Sequence, residues 1–348
     1  MMSKTIRAAL LSYGMSGKVF HAPFISLHPG FELAGAWERS KKLIAADYPG
    51  VTSYATMEDV LNDKTVDLVI VNTPTYTHFE YAKKVLEAGK HAVVEKAFTA
   101  NAAEAEELKA LAQKKGVKLS VFQNRRWDSD YKTVKKVVEE GLVGEVVEAT
   151  FAYDRFNGAL SYKAHKETPS AGSGIVKDLS PHLIDQALFL FGMPERVFAD
   201  VMITRPDSQV DDYLEILLYY KKHRVRLHSG YYVREPVPSY VIYGRVGSFL
   251  KTRADVQETK LQAGEKPTKE GWAEPDTESG LLHTEKAGKV IREKVPTLPG
   301  NYYAYYDGVY EAIANNKDMP VTADDGVKVM RVVDAVYKSA KEGKVISL

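Results

Sequence analysis

A short apolar run that ends in two charged residues carries the first chemical signal of this chain. The segment is HAVVEKAFT, residues 91–99. Its apolar core is typical of a strand in a parallel sheet, because helices cover both faces of such a sheet. Glu95 and Lys96 follow directly, and ligands of open α/β sheets bind at the carboxyl ends of the strands. We interpret both residues as functional; the alternative is that they begin a solvated loop.

The segment KDLSPHLIDQALFLFG, residues 177–192, carries the second signal. Apolar residues at helical spacing predict a helix that begins near Ser180 and Pro181. Asp178 and His182 then lie near its N-terminal end, one turn apart. A helix N-terminus disfavours imidazolium, so we predict that His182 is a neutral proton acceptor oriented by Asp178. The alternatives are a capping aspartate with a surface histidine, and a metal pair, for which no third ligand stands at suitable spacing.

The segment SYGMSGK, residues 12–18, follows an apolar run and precedes a predicted helix. The dinucleotide fingerprint has three glycines in the pattern G-x-G-x-x-G, and Gly14 and Gly17 match its second and third positions. We expect the pyrophosphate to lie on the helix N-terminus; the alternative is a tight turn in a domain that binds no nucleotide. The predicted cofactor turn comprises Ser12, Tyr13, Gly14, Met15, Ser16 and Gly17.

Two further segments follow predicted strands and extend this cofactor site. Glu38 would accept hydrogen bonds from the adenosine ribose of NAD, whereas Arg39 and Ser40 would suit the 2′-phosphate of NADP. Both kinds of residue are present, so this pattern leaves NAD and NADP open. Asn72, Thr73 and Pro74 end the next strand and would pass the nicotinamide, with His78 opening the helix that follows. His78 is interpreted either as structural or as a cofactor contact.

The elements that position these residues alternate in the first part of the chain. Strand-like and helix-like segments follow one another, which predicts a doubly wound parallel sheet over residues 1–125. The predicted strands are 6–12, 31–38, 66–73, 91–95 and 118–123. The first predicted helix follows the first strand and runs to about residue 28, and the others lie at 56–63, 77–90 and 101–116.

The pattern changes after NRRWD, residues 124–128. A helix at about 130–140 leads into longer alternating segments, of which the first covers 143–156. Such alternation predicts an antiparallel sheet with one buried face, and residues 126–348 are therefore predicted to form a second α/β domain. A cluster of tyrosines at 302–310 is interpreted as core or interface. The final helix, at about 323–342, is a candidate to pack back on the first domain.

Composition excludes several functional classes. The 348 residues have a net charge of +1, which gives no electrostatic case for nucleic acid or an anionic membrane. Cysteine is absent, which excludes disulfides and thiolate catalysis and favours a reducing compartment. No run of about 20 apolar residues or signal peptide stands out. We expect a cytoplasmic enzyme with no membrane, metal or nucleic-acid partner.

Together these motifs resemble a known family. A dinucleotide fold with VVEK, then FQNRRWD, DLSPHLID and PVTADDGVKVMRVVDAV, resembles the Gfo/Idh/MocA oxidoreductases over essentially the whole chain. SYGMSGKVFHAPF and FQNRRWDSD resemble the branch that includes NADP-dependent scyllo-inositol dehydrogenases. The resemblance implies an N-terminal Rossmann domain and a C-terminal α/β domain with an open, mostly antiparallel sheet. It also implies a homodimer or homotetramer formed through that sheet, which would cover its apolar face.

The resemblance assigns catalytic roles to Lys96, Asp178 and His182. The family usually has proline after this lysine, where this chain has Ala97, and the first fingerprint glycine is replaced by Ser12. The implied activity is hydride transfer between NAD or NADP and a hydroxyl carbon of a polyol, inositol or sugar. Alternatives are an NAD-dependent glycoside hydrolase of the same fold and a non-catalytic nucleotide-binding regulator. Further candidates for substrate or cofactor contacts are Asn124, Tyr153, Arg155 and His165.

Overall fold

The computed structural model describes residues 5–161, 164–235 and 237–348, and the side chains of residues 164 and 165 lie outside the described part. The chain divides into two compact units. Unit 1 comprises residues 1–124, 257–271 and 301–327, and unit 2 comprises residues 125–256, 272–300 and 328–348. The division differs from the two continuous domains expected from the sequence, since two later segments join the first half of the chain.

Unit 1 contains a parallel sheet of six strands in the order β3-β2-β1-β4-β5-β6. This order, with its reversal between β1 and β4, is the doubly wound arrangement of dinucleotide-binding domains. Strands such as LVIV are buried at every residue, as a sheet covered on both faces requires. The fold-class prediction is confirmed. The strands are β1 (Ile6–Leu10), β2 (Phe31–Trp37), β3 (Thr52–Tyr54), β4 (Leu68–Val71), β5 (His91–Val94) and β6 (Leu119–Val121).

Unit 2 contains a sheet of nine strands in the order β14-β13-β12-β11-β7-β10-β9-β8-β15. The sheet is mostly antiparallel, as expected, but β7 pairs parallel with β10 and antiparallel with β11. The chain leaves β7 through helices before it returns, and such a crossover allows a parallel neighbour. The strands are β7 (Val146–Ala152), β8 (Arg196–Met202), β9 (Tyr213–Tyr219), β10 (Arg224–Gly230), β11 (Tyr240–Gly244), β12 (Gly247–Lys251), β13 (Gly280–Lys286), β14 (Lys289–Val295) and β15 (Ile346–Ser347).

Helix α5 begins and ends at residues that its sequence marks. Asn101 accepts a hydrogen bond from the Glu104 amide at the start of α5, and Gly116, at φ 66°, ends it. The helices are α1 (Ala22–Leu27), α2 (Leu43–Asp47), α3 (Met57–Asn62), α4 (His78–Glu87), α5 (Ala102–Lys115), α6 (Ser129–Glu139), α7 (Ala164–Glu167), α8 (Ile175–Asp178), α9 (Ser180–Phe191), α10 (Gln257–Gln262), α11 (Tyr303–Ala314) and α12 (Ala323–Glu342), with a π-helical turn at Gly17–His21 and 3-10 turns at Thr75–Thr77, Asn124–Trp127 and Asp276–Glu278.

Aromatic packing explains why residues 301–327 belong to unit 1. The ring of Tyr303 stacks on His28 with centroids 5.4 Å apart, and Tyr306 stacks on Phe24 at 5.0 Å. All four rings are almost fully buried, and such pairs add about 0.5–1.5 kcal/mol each beyond the area that they bury. The tyrosine cluster is therefore core, as interpreted from its spacing. The first turn of α12 also lies in unit 1, where Gly326 packs closely against Val121.

Candidate active site

The turn after β1 is held by the neighbouring strand. Asn72 donates a hydrogen bond from Nδ2 to the carbonyl oxygen of Ser12 at 2.8 Å, and the Ser12 hydroxyl accepts from the Gly14 amide at 3.2 Å. A Cβ at Gly17 would lie 2.5 Å from the Ser12 carbonyl oxygen, whereas a Cβ at Gly14 would meet only the Ser12 hydroxyl, at 3.5 Å. Gly17 thus permits close helix–strand packing, while Gly14 leaves room beside the turn. Both features fit a bound dinucleotide.

Glu95, at the end of β5, contacts the same turn. Its Oε1 accepts a hydrogen bond from the Ser16 hydroxyl at 2.6 Å and lies 3.0 Å from Nε2 of His21, while its Oε2 accepts from the Lys96 amide at 3.2 Å. Burial opposes the charge of this carboxylate, but the His21 and Ser16 hydrogen bonds and the Lys96 charge outweigh burial and lower the pKa of Glu95. The loop that carries Lys96 is therefore bonded directly to the predicted cofactor turn.

His21 and Tyr306 complete this cluster; the sequence analysis assigned no role to His21 and interpreted Tyr306 only as core or interface. His21 is fully buried, and its Nδ1 lies 2.8 Å from the Tyr306 hydroxyl. That hydroxyl donates to the carbonyl oxygen of Phe20 at 2.5 Å. A histidine on the buried side of the first helix was the available signal for His21. Tyr306 lies 285 residues further on, so no local pattern could pair the two.

His78 connects the backbones of two strand-end loops. Its Nε2 lies 2.8 Å from the carbonyl oxygen of Thr73, and its Nδ1 lies 2.8 Å from that of Ala97. Burial lowers the pKa of His78, although both carbonyl contacts act in the opposite direction. The Lys96–Ala97 peptide bond is cis. His78 therefore links the loop after β4 to the residue that follows Lys96.

The carboxylate of Glu38 is engaged by the start of α2. Its Oε1 accepts from the Leu43 amide at 2.9 Å, and its Oε2 accepts from the Ile44 amide at 3.0 Å. The Ser53 hydroxyl adds a longer contact of 3.4 Å to Oε2. The carboxylate oxygens thus satisfy amides that a helix start leaves without intrahelical partners. Arg39 and its neighbour Ser40 are exposed.

The remaining residues of the predicted cofactor site lie at the same sheet edge with varied exposure. The Tyr13 hydroxyl donates to Asp47 at 2.8 Å. Burial is the main cause that raises the pKa of Tyr13, and this hydrogen bond is the second. Met15 is exposed, whereas Asn124 is buried. The carbonyl oxygen of Pro74 accepts from the amide of Thr77 at 2.8 Å. These residues line the end of the parallel sheet where the sequence predicted a nucleotide.

In unit 2, Asp178 and His182 lie on consecutive helices. Asp178 is the last residue of α8, and His182 lies in the first turn of α9. His182 is only 4% exposed, so the alternative of a surface histidine does not hold. Helix α9 begins at Ser180, as predicted, and the Ser180 hydroxyl donates to the carbonyl oxygen of Val176, one turn back.

Asp178 lines a cavity of about 270 Å³ within unit 2. Its Oδ2 lies 3.0 Å from the Lys166 ammonium, an ion pair that the sequence reading did not anticipate. Arg155 lines the same cavity and stacks against the ring of Tyr231, with the guanidinium 5.1 Å from its centroid. The same guanidinium lies 5.5 Å from the ring centroid of Tyr153. Charged and hydroxyl side chains thus surround a space suited to a small polar molecule.

The rest of this cavity wall is held by ion pairs. Arg205 is almost fully buried, and it contacts Asp212 at 2.8 Å and Glu167 at 3.0 Å. Asp211 caps α8, since its Oδ2 accepts from the Val176 amide at 2.7 Å. Burial raises the pKa of Asp211. The side chain of His165, a predicted substrate contact, lies outside the described residues.

Comparisons with known proteins give the chain its family. The oxidoreductase family's NAD-binding Rossmann fold matches residues 6–123, and its C-terminal alpha/beta domain matches residues 135–348. The chain belongs to the Gfo/Idh/MocA oxidoreductase family. The resemblance inferred from the motifs is confirmed, and with it the prediction that the protein is an enzyme, an oxidoreductase.

Several relatives of this Gfo/Idh/MocA oxidoreductase match over its whole length. The uncharacterized oxidoreductase YdgJ of Escherichia coli is 40% identical over 347 residues, which are 100% of each chain. The scyllo-inositol 2-dehydrogenase (NADP(+)) IolW of Bacillus subtilis is 36% identical, over 99% of this chain and 96% of that protein. The crystal structure of an oxidoreductase from Bacillus cereus is 30% identical, covers 99% of both chains and has a TM-score of 0.91.

Among residues 5–161, 164–235 and 237–348, no helix is long and apolar enough to span a membrane. The same described ranges contain no group of three or more histidine, aspartate or glutamate side chains placed to hold a metal ion.

The predicted catalytic residues belong to different units. Lys96 lies in unit 1, and Asp178 and His182 lie in unit 2. The catalytic roles that the resemblance assigns to these three residues stay a prediction.

Proposed function

We propose that this oxidoreductase is an NADP-dependent dehydrogenase that acts on a hydroxyl carbon of a polyol, inositol or sugar. The observation that carries the proposal is the link between the glycine turn and the loop of Lys96. The Ser16 hydroxyl donates a hydrogen bond to Oε1 of Glu95 at 2.6 Å, and Lys96 is the residue after Glu95. At the start of the turn, Asn72 donates a hydrogen bond to the carbonyl oxygen of Ser12. The residue that carries the ammonium group thus follows directly on one that contacts the glycine turn, which supports Lys96 as the donor to a substrate oxygen.

In the proposed reaction, each side chain has a distinct task. The bound nicotinamide supplies the hydride chemistry. Lys96 donates a hydrogen bond to the reacting oxygen and stabilises the charge that develops there. His182 accepts the hydroxyl proton in the oxidative direction and returns it in the other. Asp178 orients His182, and Asn124, Tyr153, Arg155 and His165 contact the substrate hydroxyls or the nicotinamide amide.

The choice of NADP rests on Glu38. In an NAD-specific site, a carboxylate at this position accepts hydrogen bonds from the ribose hydroxyls. Here both carboxylate oxygens already accept backbone hydrogen bonds from Leu43 and Ile44. Exposed Arg39 and Ser40 follow directly, and a guanidinium with a hydroxyl suits a 2′-phosphate. The printed name of IolW includes NADP(+), which supports the same choice.

The substrate class rests on the cavity that Asp178 and Arg155 line. Lys166 faces Asp178, and Arg205 faces Glu167, so charges of opposite sign are paired along the wall. A wall of paired charges offers many hydrogen-bond donors and acceptors with little net field, which suits a neutral polyhydroxy compound. IolW is named for scyllo-inositol, a compound of this class.

We also propose that the protein is a homodimer or homotetramer formed through the unit 2 sheet. On the side opposite the buried one, the neighbouring strands β7, β11 and β12 present a row of half-buried residues. Register places Val241 opposite Leu250 and Thr150 in this row. A second copy would cover these side chains. Sedimentation velocity should show an oligomer, and Leu250→Lys should shift it towards monomer; a wild-type monomer at micromolar concentration would contradict the interface.

One experiment tests the proposed activity and separates it from the alternatives. NADP and NAD affinities are measured by fluorescence titration, and a panel of polyols, inositols and sugars is then screened by nicotinamide absorbance. We expect tighter binding of NADP and release of reduced cofactor with at least one substrate of the panel. Glycoside cleavage without release of reduced cofactor would favour the hydrolase. Cofactor binding with no turnover across the panel would favour the regulator.

A further inference from the structure

The chain of polar contacts from Phe20 to Glu95 contains more acceptors than a neutral histidine can serve. The Tyr306 hydroxyl has a single proton, and it donates this proton to the carbonyl oxygen of Phe20 at 2.5 Å. Nδ1 of His21, 2.8 Å from the same hydroxyl, must therefore be the donor of that contact. Nδ1 of His21 therefore carries a proton, which it donates to the oxygen of the Tyr306 hydroxyl.

The second ring nitrogen of His21 faces a carboxylate. Nε2 lies 3.0 Å from Oε1 of Glu95, which also accepts from the Ser16 hydroxyl. In a neutral ring with its proton on Nδ1, the lone pair of Nε2 would point at a negatively charged oxygen. His21 is fully buried, and Glu95 is 13% exposed, so water cannot screen that repulsion well. A second proton on the ring turns the contact into a charge-assisted hydrogen bond.

We infer that His21 is a buried imidazolium paired with an ionised Glu95 at neutral pH, and that this pair positions the end of β5 beside the cofactor turn. The groups that face His21 are Glu95 from β5 and the Tyr306 hydroxyl from α11, and the ring of Phe122 packs at 4.6 Å. The charge nearest in sequence to the pair is Lys96. The His21 charge neutralises Glu95 within unit 1 and sets the electrostatic field at Lys96.

The catalytic consequence of this pair rests on the proposed dehydrogenase function. Without His21, the carboxylate of Glu95 remains charged beside Lys96, and its field binds that ammonium more tightly. Lys96 would then stabilise a substrate oxygen less well. His21 is thus a positioning residue, because it acts through Glu95 and touches neither substrate nor cofactor in this assignment.

The protonation state can be measured without any activity assay. Full-length protein labelled with ¹⁵N-histidine is examined by long-range ¹H–¹⁵N correlation NMR at about neutral pH, and His21→Gln assigns the signal. We expect both ring nitrogens of His21 to be protonated in the wild type. In Glu95→Gln, the amide can donate to Nε2, so we expect His21 to be neutral with its proton on Nδ1. A neutral His21 in the wild type would overturn the inference.

The positioning role is tested by a double-mutant comparison. We expect His21→Phe to lower kcat roughly tenfold or more, because an unbalanced charge in a partly buried site alters a neighbouring ion. The NADP affinity should change far less. Adding Glu95→Gln removes the unbalanced charge and should restore part of kcat; a double variant no better than His21→Phe would overturn the role. His21→Gln replaces His21→Phe if the latter fails to fold.

The two measurements separate the inference from the proposed function. If the wild type shows no turnover, the dehydrogenase proposal fails, while the NMR result still decides whether the imidazolium exists.

Discussion

The guanidinium of Arg126 donates two hydrogen bonds to the carboxylate of Asp185, from Nε to Oδ2 at 2.8 Å and from Nη2 to Oδ1 at 2.7 Å. Both side chains are almost fully excluded from solvent. Asp185 lies on α9, one turn beyond His182. The next residue, Gln186, donates from Nε2 to the carbonyl oxygen of Arg125 at 2.9 Å. These hydrogen bonds hold Arg125 and Arg126 against α9, the helix that carries His182, within unit 2.

Breaking this pair should destabilise the protein strongly. Asp185→Asn leaves the Arg126 guanidinium buried without its countercharge, and we expect a loss of about 3–5 kcal/mol in the free energy of unfolding. Urea denaturation followed by circular dichroism measures the change. Asp200→Asn, on an exposed position of β8, is the matched control and should change stability little. Equal stabilities of the two variants would contradict a structural role for the pair.

The two glycines of the turn should respond differently to alanine. Gly17→Ala would place a methyl group 2.5 Å from the backbone oxygen of Ser12, so we expect a clear fall in Tm. Gly14→Ala meets only a hydroxyl at 3.5 Å and should fold with a Tm near that of the wild type. If the pyrophosphate approaches this turn, Gly14→Ala should still weaken cofactor binding. Unchanged NADP affinity in Gly14→Ala would argue against that approach.

Cofactor selectivity should depend on Arg39. We expect Arg39→Ala to weaken NADP binding roughly tenfold to a hundredfold, since hydrogen bonds to charged groups are worth about 1.5–3 kcal/mol. Binding of NAD, which lacks the 2′-phosphate, should change little. Lys64→Ala, an exposed lysine outside the predicted cofactor segments, serves as the control. The prediction fails if Arg39→Ala weakens both cofactors equally.

His182 should be required for turnover but not for cofactor binding. Proton transfer by a positioned side chain is typically worth about 10²–10⁴-fold, so we expect His182→Ala to lose roughly that much kcat. Its NADP affinity should stay close to that of the wild type. His283→Ala, at an exposed position of β13, controls for the loss of a histidine. Near-normal turnover in His182→Ala would remove this residue from the proposed mechanism.

The His228–Asp154 pair should make stability depend on pH. Nδ1 of His228 lies 2.7 Å from Oδ1 of Asp154, and this hydrogen bond is the main cause that raises the pKa of His228. The pair therefore stabilises the fold fully below the unfolded pKa of about 6.5, and its contribution disappears as the pH rises through the higher folded pKa. Buried His78, whose pKa is lowered, contributes in the opposite direction.

Asp154→Asn isolates the contribution of His228. We expect the variant to be less stable than the wild type at about pH 6 and nearly equal to it at about pH 9, because His228 carries its positive charge only at the lower pH. Asparagine retains an oxygen for the Gly230 amide, which donates to Asp154 at 3.1 Å. Urea denaturation at both pH values measures the difference. A stability gap that does not change with pH would contradict the assignment.

Local pattern was enough to predict much of the fold. Apolar strands followed by helices predicted the parallel sheet, and β1, β2, β4, β5 and β6 lie where expected because a strand buried on both faces has a distinct composition. The hairpin of β13 and β14 was missed. Many residues of β14 are exposed and charged, so its composition does not differ from that of a loop.

The sequence by itself determined the type of protein: strand ends carrying glycine, glutamate and lysine, in order, already indicated a dinucleotide oxidoreductase. Only the tertiary structure decided how those side chains are used. Both oxygens of Glu38 are occupied by backbone amides, Lys166 faces Asp178, and His21 meets Glu95 and Tyr306. The partners of His21 lie 74 and 285 residues away in the chain, and the Glu38 contacts depend on how the chain turns from strand into helix. Periodicity and propensity describe each element separately and not such contacts.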